Sequence, residues 1–473
     1  MLTRRELVAG TAGAALAAGG IYELVERLGS TPTRAAGAAP RREQHLLSGQ
    51  RVVESEGVEV LVPPLHHQVV TARVAVSGNP AALRRGQRAL EEKLRSLERD
   101  LEPTPAGLGT TLGWGLPYFR RYLPELAARH IPIDRRATSS RRPVAALLDA
   151  IRFPSDPSET ILEDNDVAVL LRSDHLDHVE RGANTLFGEL DLFEVTSIRK
   201  GFVGGGFEGG RSLPKRMALA AGIVGAELIP DTAQLFLGFT STQRAAQGPD
   251  RIANLETLGY TDAAGGYFEG GTHMHLSHLF EDVEAWYLNF DFRERVDTTF
   301  RPGLDVRRGA QTVRQGPKDV SGGAELARDF ALRGRIGHSG AIQPTSRLPG
   351  DVVAGDGTVY RKGTAVPQRV DFNTLDNPFF WSSRRKRDRM EEAPAAGMHF
   401  VVFNPTSDDF HRNRLAMDGV LPDGTRLPFA PRARGQGINP VLRTTHRQNF
   451  LVPPRAHRSF PLVELIAARS ARP

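Results

Sequence analysis

The chain has 473 residues, 40% hydrophobic and 25% charged, with 48 Gly and 32 Pro, the balance of a loop-rich globular protein long enough to bury a large core. It contains no Cys, which excludes disulfides, zinc ribbons, iron–sulfur clusters and thiol nucleophiles and leaves His, carboxylates and Tyr as strong metal ligands. The formal net charge is +6, but only 6 of the 61 basic residues are Lys. Arg spread along the whole chain reads as the codon bias of a GC-rich genome, and the one dense run, Arg384 to Arg387, has no interleaved aromatics on which bases could stack, so no nucleic-acid partner is expected.

At the N-terminus, Thr3-Arg4-Arg5-Glu6-Leu7-Val8 and the weakly apolar Gly/Ala stretch that runs to about Tyr22 have the pattern of a twin-arginine export signal. The stretch is too short and too rich in Gly to span a bilayer, and nothing downstream is longer, so no integral membrane span is expected. Ala36-Gly37-Ala38 is a candidate cleavage site. The expected destination is extracellular or the cell envelope, by a route that carries folded proteins, often with a cofactor inserted. Residues 1–55 are assigned to signal and linker.

Downstream, the β-branched run 69–76 predicts a buried strand. Asn79 caps a predicted helix with Leu83, Leu90, Leu94 and Leu97 on one face, ending near Arg99. Gly113-Trp114-Gly115 reads as a loop. A strand is predicted at 166–171, a helix at 176–187 and a strand near 193–195. Further strands are predicted at 233–239, 272–279 and 398–403, with a helix at 409–416, and residues 300–395 read as long loops. Two halves with similar alternation, 56–200 and 201–473, suggest a duplicated α+β architecture.

Gly204-Gly205-Gly206-Phe207-Glu208-Gly209 satisfies G-x-G-x-x-G, but Pro214 interrupts helix entry, and a flexible connector explains it better than a phosphate loop. His273 and His275 share one strand face while His278 points the other way, and spacing supplies no third metal ligand. No Ser has Gly at both i−2 and i+2, so there is no nucleophile elbow. By itself, Gly337-His338-Ser339 reads as a surface histidine in a polar loop.

The order of segments resembles the dye-decolourising peroxidases, a haem family. The resemblance runs through 69–97, Gly113-Trp114-Gly115-Leu116-Pro117-Tyr118-Phe119, Arg152-Phe153-Pro154-Ser155-Asp156, Gly270-Gly271-Thr272 ahead of Trp286, His338 ahead of Pro344, Arg361-Lys362-Gly363, the strand at 398–403 and Phe450-Leu451-Val452-Pro453. It implies two ferredoxin-like halves with antiparallel sheets. It further implies haem b with His338 as iron ligand and Arg361 on the opposite face, where peroxide would bind, and Gly238 and Phe239 in the cofactor wall. The family's G-x-x-D-G signature is broken: in Gly238-Phe239-Thr240-Ser241-Thr242, Ser241 stands in the Asp position. Asp408 or Asp409 are the candidates for orienting His338.

On this resemblance, the expected activity is reduction of hydrogen peroxide by an organic electron donor, with Arg361 stabilising charge and Ser241 a poor substitute for an acid–base carboxylate. Weak activity, or a non-catalytic haem- or ligand-binding descendant, remains open, as does a homo-oligomer.

Overall fold

The computed structural model describes residues 20–29, 41–204, 206, 210–248, 261, 265–314, 321–353 and 357–466. The first half holds β1 (His66–Val74), α1 (Pro80–Asp100), β2 (Gly109–Trp114), β3 (Val167–Ser173), α2 (Leu176–Ala183) and β4 (Phe193–Phe202). Its strands lie in the order β4-β1-β3-β2, every pair antiparallel, which is the βαββαβ ferredoxin-like arrangement. The second half repeats the plan with β5 (Thr272–Glu281), α3 (Gly323–Arg333), α4 (His338–Ser346), β6 (Phe372–Thr374, preceded by the paired Gln368–Arg369), β7 (Gly397–Asn404), α5 (Ser407–Met417) and β8 (Leu442–Val452). Here the order is β8-β5-β7-β6, again antiparallel throughout.

The two sheets join at both edges. Asn373 of β6 pairs with Phe202 of β4, and Leu451 of β8 pairs with Trp114 of β2. Eight strands therefore close into a barrel, which leaves no open edge among them. Its interior is built by one face of each strand and holds an apolar cluster of Val69, Leu170, Met274, Phe372, Val401 and Phe450, with the buried polar side chains of His67, Arg172, His278 and His399 on the same faces. The outer face of the first sheet is covered by α1, whose Leu83, Leu90, Leu94 and Leu97 are buried. Asn79 caps that helix by accepting from the Ala82 N–H at 2.8 Å, and Pro80 pre-sets its first turn. Strands buried on both faces read as continuous apolar runs, which is why β1 and β3 are so legible.

Some expectations are corrected. Residues 233–239 form turns, not a strand, with Gly238 at φ +87°, where a side chain is disfavoured. The Gly113 segment ends strand β2, and the region read as long loops contains α3 and α4, with His338 opening α4. Residues 20–29 and 41–55, assigned to signal and linker, are partly folded onto the body. Tyr22 and Val25 are buried, and the Tyr22 hydroxyl donates to Asp376 at 2.7 Å and accepts from the Leu375 N–H at 3.1 Å. Arg4-Arg5, the Ala36 to Ala38 site, and Gly205 with Phe207 to Gly209 lie outside the described residues. Among the described residues no helix is long and apolar enough to cross a membrane.

Candidate functional site

A cavity opens on the outer face of the second sheet, under α4 and α5. Counted to its open mouth it encloses about 1230 Å³ of atom-free space, and its walls are mainly apolar, among them Leu237, Phe239, Phe300, Met398, Phe400 and Ile438. Strand alternation explains the sheet wall: on β5, Ser277 and Leu279 face the cavity while Met274 and Leu276 face the barrel interior. A bulge between Thr444 and His446 shifts the register of β8, so Thr444 and Arg447 both turn to the cavity.

His338 enters from the helical wall. Gly337 precedes it, and a Cβ at 337 would stand 2.2 Å from the Phe300 carbonyl oxygen, so only Gly lets the chain approach there. The Gly340 N–H donates to the same oxygen at 2.8 Å. Burial, followed by the guanidinium charges of Arg369 and Arg414, pulls the His338 pKa down to about 3. Its Nδ1 is buried and has no hydrogen-bond partner. The ring is thus neutral, the form that can donate a lone pair to a metal. Asp408 and Asp409 do not orient it. Both are held by Arg136, and Asp409 also closes the N-terminal cap of α5 on Thr406.

The sheet wall carries Arg369 and Asp371, two residues apart and on one face. Asp371 is 2% exposed and its Oδ1 is unbonded. Burial raises its pKa, opposed by the Arg369 charge and by a hydrogen bond from Ser241. Arg369 has an unbonded Nε, and burial lowers its pKa. The other two cavity arginines are committed: Arg414 to Asp418 at 2.7 Å, and Arg447 to Asp156 at 2.8 Å. His275, next along β5, is also committed, to Asn449 and Ser277, both at 2.6 Å, while its ring stacks on Phe410.

Of the residues proposed from sequence, His338, Ser241 and Phe239 line this cavity. Gly238 does not; it turns the chain beside Tyr287, whose hydroxyl would lie 3.0 Å from a Cβ at 238. Arg361 does not either. Its side chain is 76% exposed and pairs with Asp351 at 2.6 Å, in a short surface turn. The arginine of this region that faces the cavity is Arg369, because the strand stretch entering β6 lies against β7, whereas 361–363 turns away. Sequence reading passed over Arg369-Val370-Asp371, whose period-two spacing was the available signal. Asp156 was noticed in a motif, but not as the anion that neutralises Arg447 and Arg414.

The pattern of a family described as "Family of unknown function (DUF7405)" matches residues 64–352. No curated protein matches the chain. Among solved structures, the chain is similar to a putative dyp-type peroxidase protein from Shewanella oneidensis, at 14% identity and TM-score 0.48, over 86% of this chain and 96% of that one. It is similar to DyPB from Rhodococcus jostii RHA1 at 12% identity and TM-score 0.49, over 85% and 96%. It is also similar to a dye-decolorizing peroxidase from Bacteroides thetaiotaomicron at 12% identity and TM-score 0.46, over 87% and 98%.

Proposed function

We propose that this chain, which belongs to the DUF7405 family of unknown function, binds haem b in the cavity beneath α4 and α5 and reduces hydrogen peroxide at the expense of an organic electron donor. One observation carries the reading: one apolar cavity has a neutral histidine with an unbonded Nδ1 on its helical wall and an arginine–carboxyl pair with unbonded atoms on its sheet wall. The residues fit the group. His338 offers the imidazole, and aromatic and aliphatic side chains offer flat apolar contact.

Haem, when bound, supplies the iron at which peroxide is reduced. The chain's own residues do the rest. His338 is held neutral by burial and by two nearby cations, so it is available as a ligand at any working pH. Arg369 places a fixed positive charge with several donors in a dry wall, where it counts for more than in water against charge developing on a departing oxygen. Ser241 holds Asp371 and can orient a bound peroxide or water. In the overall reaction H2O2 takes up two electrons and two protons from the donor and leaves as two waters.

Reconstitution of the full chain with haem tests this. A Soret band is expected for the wild type and its loss for His338→Ala, because no Cys can replace the ligand. A wild-type protein without a Soret band, or a His338→Ala variant that keeps it, would overturn the reading.

A further inference from the structure

Away from the cavity, a group of metal-ligating side chains stands where the N-terminal helix meets the barrel. Glu26 comes from the short helix Glu23–Leu28, and His175 and Asp177 flank Leu176 at the start of α2. One ligand atom from each of the three lies within 4.8 Å of the other two. Beside them is His66, which opens β1 and is 2% exposed. Its Nε2 has no hydrogen-bond partner and stands 4.0 Å from the Glu26 Oε1.

The backbone fixes this arrangement from several sides. The Leu176 N–H donates to the Glu26 Oε1 at 2.8 Å. The Ser173 hydroxyl accepts from the His175 N–H at 3.1 Å and donates to the Gly107 carbonyl at 2.6 Å. Asp174 accepts from the Leu65 N–H at 3.0 Å, which ties the loop carrying His175 to the strand carrying His66. Tyr22 and Val25 are buried against the body and hold the helix that carries Glu26.

We propose that Glu26, His66, His175 and Asp177 form a site for a divalent first-row transition-metal ion, zinc above all, that fastens the N-terminal helix to the barrel. Two imidazoles and two carboxylates make four ligands, the number that zinc takes in structural sites, and the two negative charges cancel the ion's own. The imidazoles favour such an ion over calcium or magnesium, which prefer oxygen alone. Ligand atoms around a tetrahedral zinc stand about 3.4 Å apart, so small side-chain rotations close the group.

The buried His66 nitrogen is the observation that points to a ligand. At 4.0 Å from the carboxylate oxygen it is too far to hydrogen-bond, and a buried polar atom without a partner is costly. Burial, and then the neighbouring His175, pull the His66 pKa down to about 4, so its ring is neutral and keeps a lone pair for a metal. His178, one turn beyond His175, is committed to the Gly107 carbonyl at 3.2 Å and is left out of the set. Glu180 feels the charges of Glu23, Asp177 and Glu26, so the surroundings are acidic and draw cations. None of the four residues lines the cavity, and the proposal stands apart from the haem reading. Glu26 precedes the expected cleavage site at Ala36 to Ala38, so the ligands are together only while the N-terminal segment is kept.

Zinc binding by the full chain, stripped with a chelator and kept free of haem, tests the site. In equilibrium dialysis the wild type is expected to hold one zinc ion per chain. Glu26→Gln, His175→Ala and Asp177→Asn should each weaken that binding by at least about 10-fold. Glu26 and Asp177 are exposed, so their variants serve even if His66→Gln fails to fold. A wild type that retains no zinc at micromolar free metal overturns the site. So does a zinc ion held as tightly by Glu26→Gln and Asp177→Asn as by the wild type, because the ion then lies elsewhere.

Trypsin cleavage after Arg27, exposed on the same helix, tests the fastening. Zinc should slow it by about 10-fold or more in the wild type and leave it unchanged in Glu26→Gln, because the ion stabilises only the docked helix. Zinc that binds through these residues without slowing the cut overturns the fastening role.

Discussion

The two halves of this molecule share one topology and use it in opposite ways. In the first half a single long helix, α1, lays four leucines on the outer face of a sheet whose own residues there are Val70, Ala72, Val169 and Leu171, and the space is filled. In the second half the connection between β5 and β6 is long and broken. It passes through several short helices, α4 contains Pro344, and the sheet face beneath carries Ser277, Asp371, Thr444 and Arg447. A face of that composition cannot be sealed by leucines without stranding polar groups, so it stays hollow. The cavity is the consequence of an unfilled sheet face, and the polar residues that keep it unfilled are the ones with chemistry to offer.

Substitutions can sharpen this contrast. The largest effect is expected in the filled half: Leu94→Ala should cost about 2–5 kcal/mol in denaturant unfolding, whereas Met417→Ala at the cavity wall should cost about 1 kcal/mol, because a void is already there. Equal losses at the two positions would remove the distinction. Next, Arg369→Ala should slow peroxide turnover by about 10²–10³-fold, on the scale of losing one fixed donor to developing charge.

A smaller effect is expected at the seam where β4 meets β6, which residues 20–28 cover. Tyr22→Phe deprives the half-buried Asp376 of its donor and should destabilise the fold by about 1–3 kcal/mol. Burial raises Asp376 to about 7, so the stability it lends is present at low pH and is lost as pH rises through about 7; Asp376→Asn should flatten that fall in a melting-temperature series. The smallest effect belongs to Arg361→Ala, with turnover unchanged and stability altered by less than about 0.5 kcal/mol, since an exposed ion pair contributes little. A turnover loss there would reinstate Arg361 and displace Arg369.

Strands β1, β3 and β7 were readable because burial on both faces writes them as uninterrupted apolar runs, and α1 was readable because its leucines keep helical spacing under an Asn cap, whereas β2 and β6, at the two seams that close the barrel, were read as loop. His338 and Ser241 were found through segment order, not through any local signal. Residues 233–239 misled because an apolar run in a turn looks like a strand, and Arg361 misled because a Gly-rich surface turn carries an arginine as readily as a cavity wall does.

What the amino-acid order determined alone is the repeated alternation of strand and helix, the absence of thiol chemistry and the residues that bury. Which arginine faces the cavity, which carboxyl stands beside it, and that Asp156 neutralises Arg447 from 291 positions away were decided only by tertiary structure. The physical reason is that periodicity records which face of an element is buried, while the identity of the facing partner depends on how distant strands close into a barrel.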